Sequence, residues 1–223
     1  MSFTMIHLII ADNISTAVSH RIENLPQFFL GSIAPDAIHN RENYSSDLKK
    51  GTHLCVGPEN WGRITNNDEW KDNAMAFLHA YRGSALQDFI TGYGIHILTD
   101  IYNNQNVWNP FMRQYPDEIE KGYAGLLHQE DNKLDIALAQ TFEKRDHLWS
   151  CLAKSQGVDL GDLLSASEME QQKTNILNLL YKDKEPQDIT SNVLATYEST
   201  MAFIDEATAA LLPVICAYLD IAL

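Results

Sequence analysis

Apolar residues recur along most of the chain at the three- and four-residue intervals of an α-helix, and no stretch alternates as a β-strand does. We find neither a repeat of fixed period nor a low-complexity linker, so the pattern predicts one all-α domain over residues 1–223. The predicted helices cover Thr4–Ile22, Gln27–Ile33, Asn67–Arg82, Ala85–Asn103, Pro116–Phe142, two shorter segments within 145–183, and a final segment that starts at Asp188 or Thr190 and is interrupted at Pro213.

Residues 36–67 lack this periodicity and are predicted to form a long loop. Pro35 stops the short helix before them, and the segment is rich in Asn, Ser, Gly and charged residues. A loop of this length without structure of its own is uncommon in a compact domain and usually carries function. We therefore expect functional residues within it.

The segment from about Ala85 to Asn103 has the densest apolar pattern and should be deeply buried. It contains His96 and Asp100, four positions apart, so in a helix both side chains project from one face with Cβ atoms about 5–6 Å apart. A buried His and Asp without partners would be costly. Two interpretations remain open for this pair: it binds a metal ion, or the two side chains hydrogen-bond to each other.

Three further residues are candidates for the same chemistry. Asp36 follows the apolar segment Leu30–Pro35 on a stiff bend, His53 ends a Lys-Gly-Thr-His sequence in the predicted loop, and His7 lies in the apolar first helix. Taken singly, each has a more ordinary explanation as a turn or cap residue, a packed histidine or a surface histidine. Their combination indicates a site more strongly than any one of them.

The charge balance narrows the range of partners. Sixteen Lys and Arg against thirty Asp and Glu give a formal net charge of −14, and no basic stripe with interleaved aromatic residues is present. Such a surface repels nucleic acid, so a nucleic-acid partner is not expected. A small anionic substrate stays compatible with this charge, because a bound metal ion can invert the local field.

Cysteine usage and the absence of targeting signals predict a soluble cytoplasmic protein. The three cysteines are an odd number, far apart and without a CxxC pair, which favours reduced thiols. The N-terminus has no basic region and no small-residue cleavage site. The longest apolar run, near residues 209–219, contains Pro213 and is too short to span a bilayer, so we expect no transmembrane segment.

Four features follow one another along the chain: a His in an apolar first helix, the segment GSIAPD, a Thr-His pair and the segment GYxxHxLTD. Their order and content resemble the bacterial zinc-dependent phospholipase C family. The fold of that family is related to that of single-strand-specific zinc nucleases. The resemblance covers roughly residues 5–110. It implies a multi-helix metal-dependent hydrolase in which zinc is held by Asp36, His53, His96 and Asp100. It further implies that Asp100 bridges to a second metal bound by His7, and that Asp36 is a candidate base. Ligands without thiolate also suit manganese, iron or nickel.

The sequence departs from that family at two places. Family members use a processed N-terminal residue as a ligand beside the first-helix His, whereas here no processing site precedes His7. Their third metal needs a His soon after the HxxxD segment and a later HxxxE pair, for which His128 with Asp131 is only a weak substitute. We therefore expect one or two metals.

The resemblance implies hydrolysis of a phosphoester by a metal-activated water, with a small phosphoester or a phospholipid headgroup as substrate. Two alternatives stay open: a non-catalytic, metal-stabilised helical binding protein, and a helical interaction module whose histidines are fortuitous. Trp108 and Asn109 resemble a Trp-Asn pair of intracellular relatives and are expected either to line a pocket or to pack. His39 is expected to be a surface residue.

Overall fold

A computed structural model describes residues 3–55 and 57–221, and within this part the chain is helical without a β-strand, which confirms the all-α prediction. The α-helices are α1 (Thr4–Ala17), α2 (Leu25–Gly31), α3 (Ser46–Thr52), α4 (Asn67–Ala80), α5 (Gln87–Asn103), α6 (Asn109–Gln114), α7 (Pro116–Glu120), α8 (Tyr123–Thr141), α9 (Arg145–Lys154), α10 (Ala166–Asn175) and α11 (Tyr197–Tyr218). Short 3₁₀ helices cover Ser19–Arg21 and Ala34–Asn40, and π-helical turns cover Asn104–Trp108 and Ile176–Leu180.

Helix α5 is the centre of the molecule. Every residue from Phe89 to Ile101 is buried, and the helix contacts α1, α2, α4 and α11. A helix that is apolar nearly all round can lie only in a core, because no face of it favours water. The deep burial predicted from the sequence is therefore confirmed, and it takes the polar residues His96 and Asp100 into the interior.

Two glycines allow α2 to cross α5 in direct backbone contact. A Cβ atom placed on Gly31 would lie 1.9 Å from the Phe89 carbonyl oxygen, and one on Gly92 would lie 1.9 Å from the Phe28 carbonyl oxygen. No side chain larger than hydrogen fits at either position, since real Cβ contacts are essentially never shorter than 3.0 Å. The crossing brings Ser32, just after α2, against the middle of α5.

The prediction of a structureless loop over residues 36–67 is wrong for much of its length. A 3₁₀ helix covers Ala34–Asn40, with Pro35 in its first turn, where a missing N–H costs nothing. Helix α3 then covers Ser46–Thr52, and the Ser45 hydroxyl accepts a hydrogen bond from the Leu48 N–H at its start. Helices of seven residues are marginal in isolation, so their periodicity is too short to read from sequence.

Other helix boundaries also differ from the predictions. The first helix ends at Ala17, and the helix predicted from Pro116 is divided at Gly122, whose φ of 96° is left-handed and cannot continue a helix. The last helix starts at Tyr197, where Thr196 and Ser199 cap it reciprocally, and not at Asp188 or Thr190.

Pro213 does not interrupt α11, which is one continuous helix of 22 residues. Leu211 and Ile215, on either side of the proline, are both buried, so packing holds the two turns together where one hydrogen bond is missing. By length and mean hydropathy (1.5) α11 is apolar enough to cross a membrane, and 39% of the relevant window is buried. Its contacts with α1 and α5 are those of a core helix.

Candidate metal centre

The five residues predicted as metal ligands lie in one cluster. His7 comes from α1, Asp36 from the 3₁₀ helix, His53 from the end of α3, and His96 and Asp100 from successive turns of α5. All are buried except Asp36, whose side chain is 21% exposed and forms the open edge of the cluster. Their ligating atoms form two overlapping groups, each within 4.8 Å: His7, His96 and Asp100, and Asp36, His53 and His96.

Neighbouring helices fix the position of His53. The Tyr93 hydroxyl on α5 donates a hydrogen bond to the Thr52 carbonyl oxygen, and Trp70 Nε1–H on α4 donates one to the His53 carbonyl oxygen at 2.6 Å. The end of α3 is thereby tied to two long helices. This is why a histidine from a short surface helix lies beside the buried pair on α5.

Three of the five distances between the inward-facing atoms match the edges of a tetrahedral zinc site, and the two from His96 Nε2 to the carboxylates are longer. His53 Nε2 is 3.3 Å from His96 Nε2, and Asp100 Oδ2 is 3.5 Å from the first and 3.8 Å from the second. Asp36 Oδ1 is 3.5 Å from His53 Nε2, and Asp36 Oδ2 is 3.9 Å from His96 Nε2. Bonds of about 2.0–2.2 Å to a tetrahedral zinc place ligand atoms about 3.3–3.6 Å apart.

Hydrogen bonds on the outer sides of the two imidazoles decide which nitrogen carries the proton. His96 Nδ1 is 2.8 Å from the Ser32 carbonyl oxygen, and His53 Nδ1 is 2.9 Å from the Lys49 carbonyl oxygen. A carbonyl oxygen only accepts, so each Nδ1 carries the hydrogen, and in a neutral ring each Nε2 is left with a bare lone pair. This outer support is the usual arrangement behind metal-bound histidines.

The electrostatics favour a neutral imidazole at His96 and ionised carboxylates at Asp36 and Asp100. Burial, reinforced by the nearby His7, lowers the pKa of His96 to about 3, so its ring is neutral at pH 7. Burial alone would raise the pKa of Asp100, but the imidazoles of His7, His96 and His53 outweigh it and lower that pKa below its usual range. The pKa of Asp36 is also lowered against the effect of burial, chiefly by the charge of Lys49.

His7 is buried without a hydrogen bond at either ring nitrogen. Its ring stacks on that of His96 with centroids 3.6 Å apart, and its Nε2 lies 3.5 Å from Asp100 Oδ1, too long for a well-formed hydrogen bond. Asp100 Oδ1 likewise has no hydrogen-bond partner, while Oδ2 faces His53 and His96. One Asp100 oxygen thus faces each group, as a carboxylate that bridges two cations would.

Two residues that the sequence analysis did not single out belong to this site. Lys49 Nζ lies 2.8 Å from Asp36 Oδ1, and the lysine side chain is 8% exposed. The Trp61 ring packs edge-on against His53 at 4.7 Å between centroids and lies 5.1 Å from Lys49 Nζ. Lys49 could have been noticed as the residue one helical turn before His53, but only in a segment recognised as helical.

Little empty space adjoins the cluster on two sides. The space that His7, Asp36 and His96 line has no room for a water molecule, and a cavity of about 20 Å³ beside Asp100 has room for one. A larger cavity of about 140 Å³ shares Asn103 and Trp108 with the second. Trp108 therefore lines pockets, and its Nε1–H also donates a hydrogen bond to the Gly62 carbonyl oxygen at 2.8 Å.

The remaining candidates lie around the cluster. His39 is exposed, as expected of a surface residue, yet its Nδ1 is 3.8 Å from Asp36 Oδ1 and its Nε2 is 3.4 Å from Lys49 Nζ. His128 packs against the Phe3 ring, and Asp131 lines the larger cavity. Asn109 donates a hydrogen bond to the Ile64 carbonyl oxygen at 3.1 Å and so holds the segment beside Trp61.

A scan of protein-family models, a search of curated proteins and a search of solved structures each found no match to this chain. The resemblance to zinc-dependent phospholipases C therefore stays a prediction from the order and content of four sequence segments. The geometry of the five side chains stands independently of it.

Proposed function

We propose that this protein is a divalent-metal-dependent hydrolase of small phosphoesters. The proposal rests on two hydrogen-bond acceptors at the centre of the cluster, His53 Nε2 and His96 Nε2, which face each other 3.3 Å apart. With both Nδ1 atoms hydrogen-bonded to carbonyl oxygens, two lone pairs confront each other beside two carboxylates. Such an arrangement is repulsive unless a positive charge lies among these atoms.

A metal ion fits this environment better than a proton does. A proton shared between the two nitrogens would make one of the two buried rings an imidazolium, and it would leave the buried His7 and Asp100 Oδ1 without partners. A metal ion among Asp36, His53, His96 and Asp100 would satisfy the two facing nitrogens, and a weakly held second cation would satisfy His7 Nε2 and Asp100 Oδ1. The set of nitrogen and carboxylate donors suits zinc, with manganese, iron or nickel as alternatives.

Each residue of the cluster has a separate role in the proposed hydrolysis. When bound, the metal would lower the pKa of a water ligand toward about 7 and neutralise charge on the phosphoryl group. His53 and His96 present imidazole nitrogens, and hydrogen bonds from Nδ1 to carbonyl oxygens fix the orientation of both rings. Asp100 directs one oxygen to each histidine group. Asp36 already has Oδ1 engaged by Lys49, which supports a role as ligand more than as base.

The substrate that we propose is a small phosphoester, either soluble or the headgroup of a phospholipid. The cavity of about 140 Å³ that Asn103 and Trp108 line offers space for a small substituent on the Asp100 side of the cluster. A formal charge of −14 disfavours nucleic acid. We place the activity in the cytoplasm, since Cys55, Cys151 and Cys216 are all unpaired.

The test is elemental analysis of the purified protein, followed by zinc titration and an assay with bis-para-nitrophenyl phosphate. We expect His96→Ala to lose the metal and all turnover. His79→Ala should retain both, since His79 is exposed and packs on Tyr218. Turnover by verified metal-free protein, or equal metal binding by the two variants, would contradict the proposal.

A second candidate function is a structural metal site in a non-catalytic binding protein. It is favoured by the number of protein ligands, because Asp36, His53, His96 and Asp100 would close a tetrahedral site without water. Cobalt substitution distinguishes the two: a closed four-ligand site gives an absorption spectrum that phosphate does not change. A site that retains water gives a spectrum that shifts when phosphate binds.

A further inference from the structure

Lys49 brings a permanent positive charge into the candidate metal centre. Its side chain is 8% exposed, its Nζ is 2.8 Å from Asp36 Oδ1, and the face of Trp61 lies 5.1 Å away. Burial of an ammonium is costly unless it is paired, so this position requires the carboxylate. Neither the ligand pattern nor the resemblance assigns any role to this residue.

The ammonium changes the charge balance of the cluster. Asp36 and Asp100 are two carboxylates, and Lys49 is one ammonium that lies 2.8 Å from Asp36 Oδ1. These three side chains together carry a formal charge of −1, which one divalent cation with one hydroxide would neutralise. A second divalent cation would leave a large excess of positive charge in a buried site, where charge is weakly screened.

The ligand supply agrees with this balance. The His53 and His96 Nε2 atoms lie 3.3 Å apart, and each lies 3.5–3.9 Å from an oxygen of Asp36 and from an oxygen of Asp100. On the other side, His96 is shared, so only His7 Nε2 and Asp100 Oδ1 remain as side-chain ligands among the described residues. Two ligands form a much weaker site than four.

We propose that Lys49 supplies the positive charge that a second metal ion would otherwise supply, beside a single tightly bound metal. The ammonium holds Asp36 through one oxygen and donates a hydrogen bond to a phosphoryl oxygen of the substrate. This inference rests on the proposed hydrolase function. The ammonium has three hydrogens, of which Asp36 takes one. The exposed side chain of His39 and the partly exposed side chain of Asp36 border it, so a ligand can approach from that edge.

The experiment compares Lys49→Met with Lys50→Met, a matched control whose Nζ donates to the Gly57 carbonyl oxygen. Zinc stoichiometry and Kd are measured by chelator competition, and kcat/KM with bis-para-nitrophenyl phosphate. For Lys49→Met we expect zinc binding to tighten about tenfold or more, because a like charge is removed. We expect kcat/KM to fall about 100-fold, because a donor to the transition state is lost. Lys50→Met should change neither quantity.

The opposite direction of the two effects separates this role from a structural one. If Lys49 only positioned Asp36, its loss would weaken zinc binding together with activity, and that result would overturn the proposal. The wild-type protein provides a measurement that is independent of variant folding. We expect one tight zinc equivalent, and two tight equivalents would overturn the inference while leaving the hydrolase function intact. A wild-type protein without bound metal or turnover would instead reject the proposed function itself.

Discussion

The contact between α2 and α5 makes Gly92→Ala a sensitive test of how the site is assembled. The added Cβ would lie 1.9 Å from the Phe28 carbonyl oxygen and 3.0 Å from the Ser32 nitrogen, both in backbone that cannot rotate away. Relief requires the helices to separate by more than 1 Å, given that real Cβ contacts essentially never fall below 3.0 Å. That separation would also stretch the 2.8 Å hydrogen bond from His96 Nδ1 to the Ser32 carbonyl oxygen.

Two opposed contributions determine the expected change in the unfolding free energy of Gly92→Ala. Overpacking of a rigid interior costs at most about 3 kcal/mol in most cases, and contact between two backbones belongs at that end of the range. Alanine in place of glycine within a helix returns about 1 kcal/mol. The net expected loss is about 2 kcal/mol of unfolding free energy. Gly125→Ala is the matched control, since Gly125 lies within α8 with no atom near its added Cβ, and it should gain about 1 kcal/mol.

The assay is urea denaturation of metal-free protein, with zinc affinity measured on the folded forms. We expect Gly92→Ala to unfold at lower urea than wild type and to bind zinc more weakly, whereas Gly125→Ala unfolds at higher urea with unchanged affinity. If both variants were equally stable, the close crossing of the two helices would be refuted. Lost stability with unchanged zinc affinity would show instead that the crossing does not position His96.

Two further predictions concern residues outside the candidate ligand set. Burial raises the pKa of Asp135 to about 6, so the stability linked to its protonation is present below about pH 4 and is lost as the pH rises through 6. In denaturation experiments, the unfolding free energy of Asp135→Asn should therefore exceed that of wild type by about 2 kcal/mol at pH 8 and equal it at pH 4. An equal gain in unfolding free energy at both pH values would contradict this prediction. Trp108→Phe keeps a ring but loses the bond to the Gly62 carbonyl oxygen, which should cost about 1 kcal/mol and speed proteolytic cleavage near Gly62. Cleavage at the wild-type rate would show that this bond does not restrain the segment.

The helical class and the central helix could be predicted because their signals are local and strong. The apolar pattern of residues 85–103 is long enough to define a buried helix, and the four-residue spacing of His96 and Asp100 places them on one face whatever the rest of the chain does. The resemblance added His7, Asp36 and His53, which the structure brings to the same cluster. No feature of local sequence could have joined them to His96 and Asp100, since the mutual distances of the five residues depend on four separate elements.

The predictions were wrong where tertiary contacts stabilise short elements. The helices Ala34–Asn40 and Ser46–Thr52 have seven residues each, too few for intrinsic helical stability, and they form because neighbouring helices hold them. The continuity of α11 through Pro213 has the same origin, with buried residues on both sides of a missing hydrogen bond. Local rules for proline and for loop composition describe an isolated chain, and packing overrides them here.

The sequence by itself determined that the chain is helical, that α5 lies in the core, and that a histidine and a carboxylate on it share one face. Only the tertiary structure decided that Lys49 lies 2.8 Å from Asp36 and that the bare nitrogens of His53 and His96 face each other. The physical reason is the distance along the chain over which each property is determined. Helical periodicity is set by neighbours a few residues away, whereas the charge balance and tautomers of the site are set by atoms that come together only when α2, α3 and α5 pack.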